Sequence, residues 1–99
     1  MDKKLASHAA EVLKALAHPI RLQVVEALEG GERSVGEIAE AVGEKQAITS
    51  QQLNIMKDKG ILKSRREGAR VFYWIENENA IRVLRCVHNH CRKKGKGRR

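Results

Sequence analysis

From Lys3 to Ala17 the apolar side chains Leu5, Ala9, Val12, Leu13 and Leu16 recur at the spacing of one helix face, which predicts an amphipathic first helix. His18-Pro19 interrupts it, because Pro disfavours helical geometry in the residue before it and suits the first position of a new helix. The second helix is expected to reach about Glu29. Its Ile20, Leu22, Val24, Val25 and Leu28 spread over more than one stripe, so it should be the most buried, and Gly30-Gly31 closes it. Ser34-Val35-Gly36-Glu37 has the form of a capping box, followed by apolar Ile38, Ala39 and Val42, and predicts a short third helix ending at Gly43. A fourth helix is expected from Gln46 to Lys59, stopped by Gly60, with Ile48, Leu53, Ile55 and Met56 apolar and Gln46, Ser50, Gln51, Asn54 and Lys57 polar. Two short helices joined by a turn with a Gly form the pattern of a helix-turn-helix.

At Ile61 the period changes. Ile61 to Arg66 and Val71 to Ile75 flank Glu67-Gly68-Ala69-Arg70, which predicts a β-hairpin with a four-residue connection. Alternation sends Tyr73 to one face with Val71 and Ile75 and sends Phe72 and Trp74 to the other, so both faces need partial cover. Asn77 or Asn79 then starts a last helix carrying Ala80, Ile81, Val83, Leu84 and Val87.

Composition narrows the class. With 99 residues, 41% hydrophobic and 32% charged, the chain suits one folded unit with one core. No apolar run approaches the roughly 20 residues of a membrane span, so no membrane is expected as partner, and two Cys make a cytoplasmic location the default. Net charge is +8, but six of those charges lie in the last eight residues, leaving +2 for the rest. We expect residues 1–91 to form the domain and residues 92–99 a disordered basic tail, either an arm for a polyanion or a solvated solubility tail.

The polar face of the fourth helix carries candidate chemistry. Gln46, Ala47, Ser50, Gln51 and Gln52 could meet base edges in double-stranded DNA, Gln being suited to the N6/N7 edge of adenine, while Lys45 and Lys57 could meet phosphates. Arg65, Arg66 and Arg70 surround the hairpin turn with only Glu67 between them, which suggests a cationic tip able to cross phosphates. Each feature alone also fits a solvated face or a charged sheet edge that resists aggregation.

Ala15-Leu16-Ala17-His18-Pro19-Ile20-Arg21-Leu22 resembles the "LADPTRLRIL" stretch of the ArsR/SmtB family, and Gln46-Ala47-Ile48-Thr49-Ser50-Gln51-Gln52-Leu53 is similar to its "SQSTVSHHL" recognition helix. Lys59-Gly60-Ile61-Leu62, Arg65-Arg66-Glu67-Gly68 and Val71-Phe72-Tyr73 resemble "AGLV…RREGRXVYY". The resemblance covers about residues 5 to 91. It implies a mainly α fold with a β-hairpin wing, a winged helix-turn-helix in the order α-α-α-α-β-β-α, acting as a DNA-binding transcriptional repressor and not as an enzyme. It also implies a homodimer through the first and last helices, where Leu5, Ala9, Val12, Ile81, Leu84 and Val87 are the candidates. They could instead only complete the monomer core.

The family's sensing sites must be matched residue by residue. The Cys-x-Cys step of "ELCVCDL" falls on Ser34 and Gly36, so that site is absent. Of the family's zinc-type positions on the last helices only Glu76 and His90 could ligate, since Asn79 and Lys93 occupy the others. The last helix does carry Cys86, His88, His90 and Cys91, donors suited to Zn, Cu(I) or As(III). Cys86 and His90 share one helix face and His88 and Cys91 another, so one straight helix cannot aim all four at one ion. A metal, metalloid or reactive-sulfur inducer would need a second helix. Alternatively Cys86 packs as a small hydrophobe. The competing class is a winged-helix module for protein or RNA with no inducer, which an acidic or strongly apolar recognition face would have favoured.

Overall fold

The computed structural model describes the backbone of residues 1–97 and the side chains of residues 1–91. Asp2 caps α1 (Lys3–Leu16) by accepting from the Leu5 N–H at 2.7 Å, and His18 Nδ1 accepts from the Ile20 N–H at 3.1 Å to cap α2 (Pro19–Leu28). Val24, Val25 and Leu28 of α2 are buried, as its broad apolar surface predicts. Arg21 of this helix ties three elements together. Its Nε donates to Gln52 Oε1 at 2.9 Å, and its Nη1 lies 3.4 Å from the Lys14 and Ala15 carbonyls at the end of α1.

A two-residue strand, β1 (Arg33–Ser34), precedes α3 (Val35–Val42). It was not expected, because two residues leave no periodic signal; it forms where the chain entering the capping box lies along the hairpin edge. The box is complete. Ser34 Oγ accepts from the Glu37 N–H at 3.2 Å, and Glu37 Oε1 accepts from the Ser34 N–H at 2.9 Å. The backbone N–H and hydroxyl of Ser34 hold the Glu37 carboxyl below its ordinary pKa, so what that carboxylate adds to stability is lost as pH falls through the lowered value. Gly43, with φ 73°, takes the left-handed conformation that ends α3 and turns the chain into α4 (Gln46–Asp58).

β2 (Leu62–Glu67) and β3 (Arg70–Ile75) form the wing, and β1 adds antiparallel to β3, giving the sheet order β1-β3-β2. The connection is two residues rather than four, since Glu67 pairs with Arg70. Gly68 takes a φ of 61° at the first loop position, as a tight two-residue hairpin demands. Asn77 Oδ1 accepts from the Asn79 N–H at the start of α5 (Asn79–Gly97). That helix continues to Gly97 where a disordered tail was expected from Arg92, because Arg and Lys are good helix formers once a helix is under way. The side chains of the basic segment lie outside the described residues.

The core joins Leu16, Val24, Val25, Leu28, Ile38, Leu53, Met56, Ile61, Leu62, Tyr73 and Ala80, so all five helices and both strands of the wing contribute to one cluster. Replacing Ser34 by Ala should cost about 1 kcal/mol by removing the cap of α3. At fixed protein concentration this predicts a Tm roughly 4–8 °C lower by circular dichroism; an unchanged Tm would show that the box does not hold the helix.

Candidate nucleic-acid interface

Thr49, Leu53 and Met56 are each fully buried and fix the rotation of α4 about its axis. Thr49 is accommodated because its hydroxyl donates to the Lys45 carbonyl at 2.9 Å. At about 100° per residue, Ala47 and Gln51 lie opposite and Asn54 lies beside them toward the wing, and all three are exposed. Ser50 flanks them on the wing side, half-buried, and Ile48 on the other side remains 38% exposed. The outward face is therefore uncharged and polar with apolar spots, able to meet base edges and thymine methyl groups.

Two sequence candidates sit elsewhere. Gln52 is half-buried and turned toward α2, where its carbonyl oxygen accepts from Arg21, so it holds the helix and does not face outward. Gln46 is exposed at the first turn but leans across α3, its Nε2 3.1 Å from where a Cβ on Gly36 would stand. Two further residues belong to the outward face. Asn54 lies on the polar face in sequence, outside the groove candidates, and Ile48 is apolar; the rotation set by buried Thr49 leaves both exposed.

The arginines of the wing divide by strand register. Arg65 pairs with Phe72 and Arg66 with Val71, so the two guanidinium groups leave opposite faces of the sheet. Arg65 donates to Glu32 and to Glu67 Oε2, the latter at 3.0 and 3.1 Å, and lies 4.9 Å from the centre of the Phe72 ring. Its hydrogen bonds to Glu32 and then Glu67 push its pKa further above the ordinary arginine value, and the Arg65 guanidinium in turn lowers that of Glu32. Arg65, one of the phosphate candidates, is thus engaged by two carboxylates and braces the wing. Arg66 and Arg70 form no salt bridge among the described residues, nor do Lys45 and Lys57. Arg70 also packs over Phe72, at 5.0 Å, while Arg66 and Lys57 line a groove between α4 and the wing with Ser50, Asn54 and Tyr73. These four cations frame the polar face.

The expected dimer residues fall into two groups. Leu5 is 54% exposed and Val87 43%, with Leu13 and Met1 also exposed on or beside α1, whereas Ala9 is half-buried and Val12, Ile81 and Leu84 are half-buried against the core. Only Ala15 and Leu16 of α1 are buried. On α5, Cys86, His88, His90 and Cys91 are all exposed, and both cysteines are free. Among the described residues no three His, Cys, Asp or Glu side chains converge closely enough to hold a metal ion, so these donors do not fit an ion within one protomer.

The profile of the bacterial regulatory protein, arsR family, matches residues 18–64. The biofilm growth-associated repressor of Xylella fastidiosa is 36% identical over 86 residues, spanning 87% of this chain and 75% of that protein. The chain belongs to the arsR family. The solution structure of the homodimeric winged helix-turn-helix DNA-binding domain of Mb0332 from Mycobacterium bovis resembles this arsR-family chain with a TM-score of 0.79 at 35% identity, covering 99% of this chain and 93% of that one. The crystal structure of the antimony-specific transcriptional repressor AntR gives 0.84 at 29% identity, covering 93% of this chain and 86% of that one. This arsR-family protein is a DNA-binding transcriptional regulator with a winged helix-turn-helix fold and not an enzyme, and no helix of its described residues is long and apolar enough to cross a membrane.

The division of the arginines predicts distinct salt responses. Arg66→Ala and Arg70→Ala should each flatten the slope of log affinity against log salt by about 1 per protomer, one phosphate contact being lost. Arg65→Ala should lower affinity by loosening the wing while leaving that slope unchanged. Fluorescence anisotropy across a salt series checks this; a flattened slope for Arg65→Ala would return that residue to the phosphate contacts.

Proposed function

We propose that this chain acts as a two-fold homodimeric repressor whose paired α4 helices read two half-sites in successive major grooves, and whose operator affinity falls when a thiol-seeking inducer reaches α5. The observation that carries the DNA reading is the uncharged outward face of α4 framed by Lys45, Lys57, Arg66 and Arg70, cations left without acidic partners among the described residues. Bases are read by the centre of this face and phosphates by its rim. Residues 92–99, with six positive side chains, would add further contacts to the DNA backbone.

One such unit covers too few base pairs for a unique address, which favours a dimer on a dyad-symmetric site. Helix α1 offers the surface for it: Leu5 and Leu13 are each 54% exposed although they belong to an amphipathic stripe. The homodimeric state of the Mb0332 domain supports the same assembly. Selection from a pool of random double-stranded DNA should return a palindrome with half-sites about 10–10.5 base pairs apart. Leu5→Asp combined with Val87→Asp, both at exposed positions that leave the core intact, should give a folded monomer by analytical ultracentrifugation that no longer selects the palindrome. A wild-type monomer, or a selection that returns no preferred sequence, would reject the reading.

The inducer reading rests on the exposed Cys86 and Cys91 beside His88 and His90. Since one protomer does not gather three donors, a Zn, Cu(I) or As(III) ion would have to be held between two α5 helices. A reactive-sulfur oxidant would need only the thiols. AntR, an antimony-specific repressor, shows that a close fold can answer a thiol-seeking metalloid. Tenfold release needs about 1.4 kcal/mol of coupling between inducer and DNA. Cys86→Ser and Cys91→Ser should leave binding of the uninduced protein intact and abolish release in a titration with Zn(II), Cu(I), arsenite and a persulfide donor. Release from the variants at wild-type concentrations of every ligand would show that the cysteines do not sense.

A further inference from the structure

Asn54 lies on the wing side of the outward face of α4, exposed, and borders the groove beneath the wing. Its amide is engaged from one side. The hydroxyl of Tyr73, on β3, donates to Asn54 Oδ1 at 3.1 Å. Tyr73 itself is 4% exposed, with its ring in the core, so its hydroxyl is held at a fixed point on the seam between wing and helix. The same pair thus joins the two elements that must approach DNA together.

We infer that the Tyr73 hydroxyl fixes Asn54 with its Nδ2 amide group outward, making Asn54 a donor-only reader that selects guanine at one position of each half-site. The inference rests on α4 being the DNA-reading helix. A free Asn pairs with adenine through both ends of its amide, accepting from N6–H and donating to N7. With Oδ1 turned toward the wing, only the donor end faces the groove. The major-groove edge of guanine carries two acceptors, N7 and O6, and no donor; thymine offers a single acceptor, O4, beside its methyl group, cytosine presents a donor that meets the amide N–H unfavourably, and adenine sets its N6–H beside N7. Burial first, and then the negative charge of Asp58, raise the Tyr73 pKa, so the phenol stays protonated and keeps donating at neutral pH. Gln51, one turn earlier on the same face, has no partner of this kind among the hydrogen bonds of the described residues and remains free to turn. Neighbouring positions of one helix therefore read by different rules: an adaptable amide at Gln51 and a fixed one at Asn54.

Selection from random double-stranded DNA with wild type, Tyr73→Phe and Asn54→Asp tests this. Tyr73→Phe keeps the buried ring and should fold as wild type by circular dichroism. It should admit adenine at the guanine position, narrowing the guanine-over-adenine preference by about tenfold with the other positions unchanged. Asn54→Asp places an acceptor outward and should move the preference at that same position to cytosine. A merely structural tyrosine would lower binding to all sequences alike, and that uniform loss, or unchanged profiles from both variants, would overturn the inference while leaving the DNA-reading role of α4 in place. A wild type that selects no sequence would overturn that role as well.

Discussion

The burial of Thr49, Leu53 and Met56 sets the angular position of α4, and every residue this protein can present to a partner along that helix follows from it. Leu53 and Met56 supply apolar volume at the centre of the core. Thr49 fits beside them because its hydroxyl returns to the Lys45 carbonyl and leaves no unpaired polar atom inside. A rotation of α4 large enough to bring Gln52 outward would take Leu53 into solvent and break the Arg21 bond. Core packing and the reading face are two sides of one constraint.

The wing is joined to this helix by contacts of different kinds. On its inner side Tyr73 reaches the core and the Asn54 amide; on its outer side Arg65 bridges Glu32 and Glu67 over Phe72. The Glu32 partner lies in the segment before β1, so the brace ties the hairpin to the region entering α3. These ion pairs are exposed and individually weak, and their effect lies in orientation more than in stability. The other two arginines of the wing, Arg66 and Arg70, form no salt bridge among the described residues.

Much of this architecture was legible from local chemistry. The Ser34–Glu37 box, the stop at Gly43, the His18-Pro19 break and the alternation around Tyr73 each determine their element within a few residues, and the structure carries all of them. What could not be read locally depends on partners far along the chain. Gln52 looked like its neighbours until Arg21, 31 residues away, claimed its carbonyl oxygen, and Arg65 looked like a free cation until Glu32, 33 residues away, met it. β1 escaped because its pairing belongs to β3 and not to its own two residues. The donors of α5 alternate between two faces of one helix, and among the described residues they gather into no group of three.

The sparse cover of α1 has a thermodynamic consequence. Its last turn is anchored by Ala15, Leu16 and the bonds from Arg21, while the residues before it lean on few neighbours. Helices shorter than about 12–15 residues are marginal in water without packing. The chain therefore has two tiers of backbone protection. Amides of α2, α3 and α4 exchange with solvent only when the core opens as a whole, and those early in α1 exchange through local fraying at a much lower cost. A surface that covered Leu5 would merge the two tiers, and the opening free energy of the first helix would then rise with the fraction of chain bound.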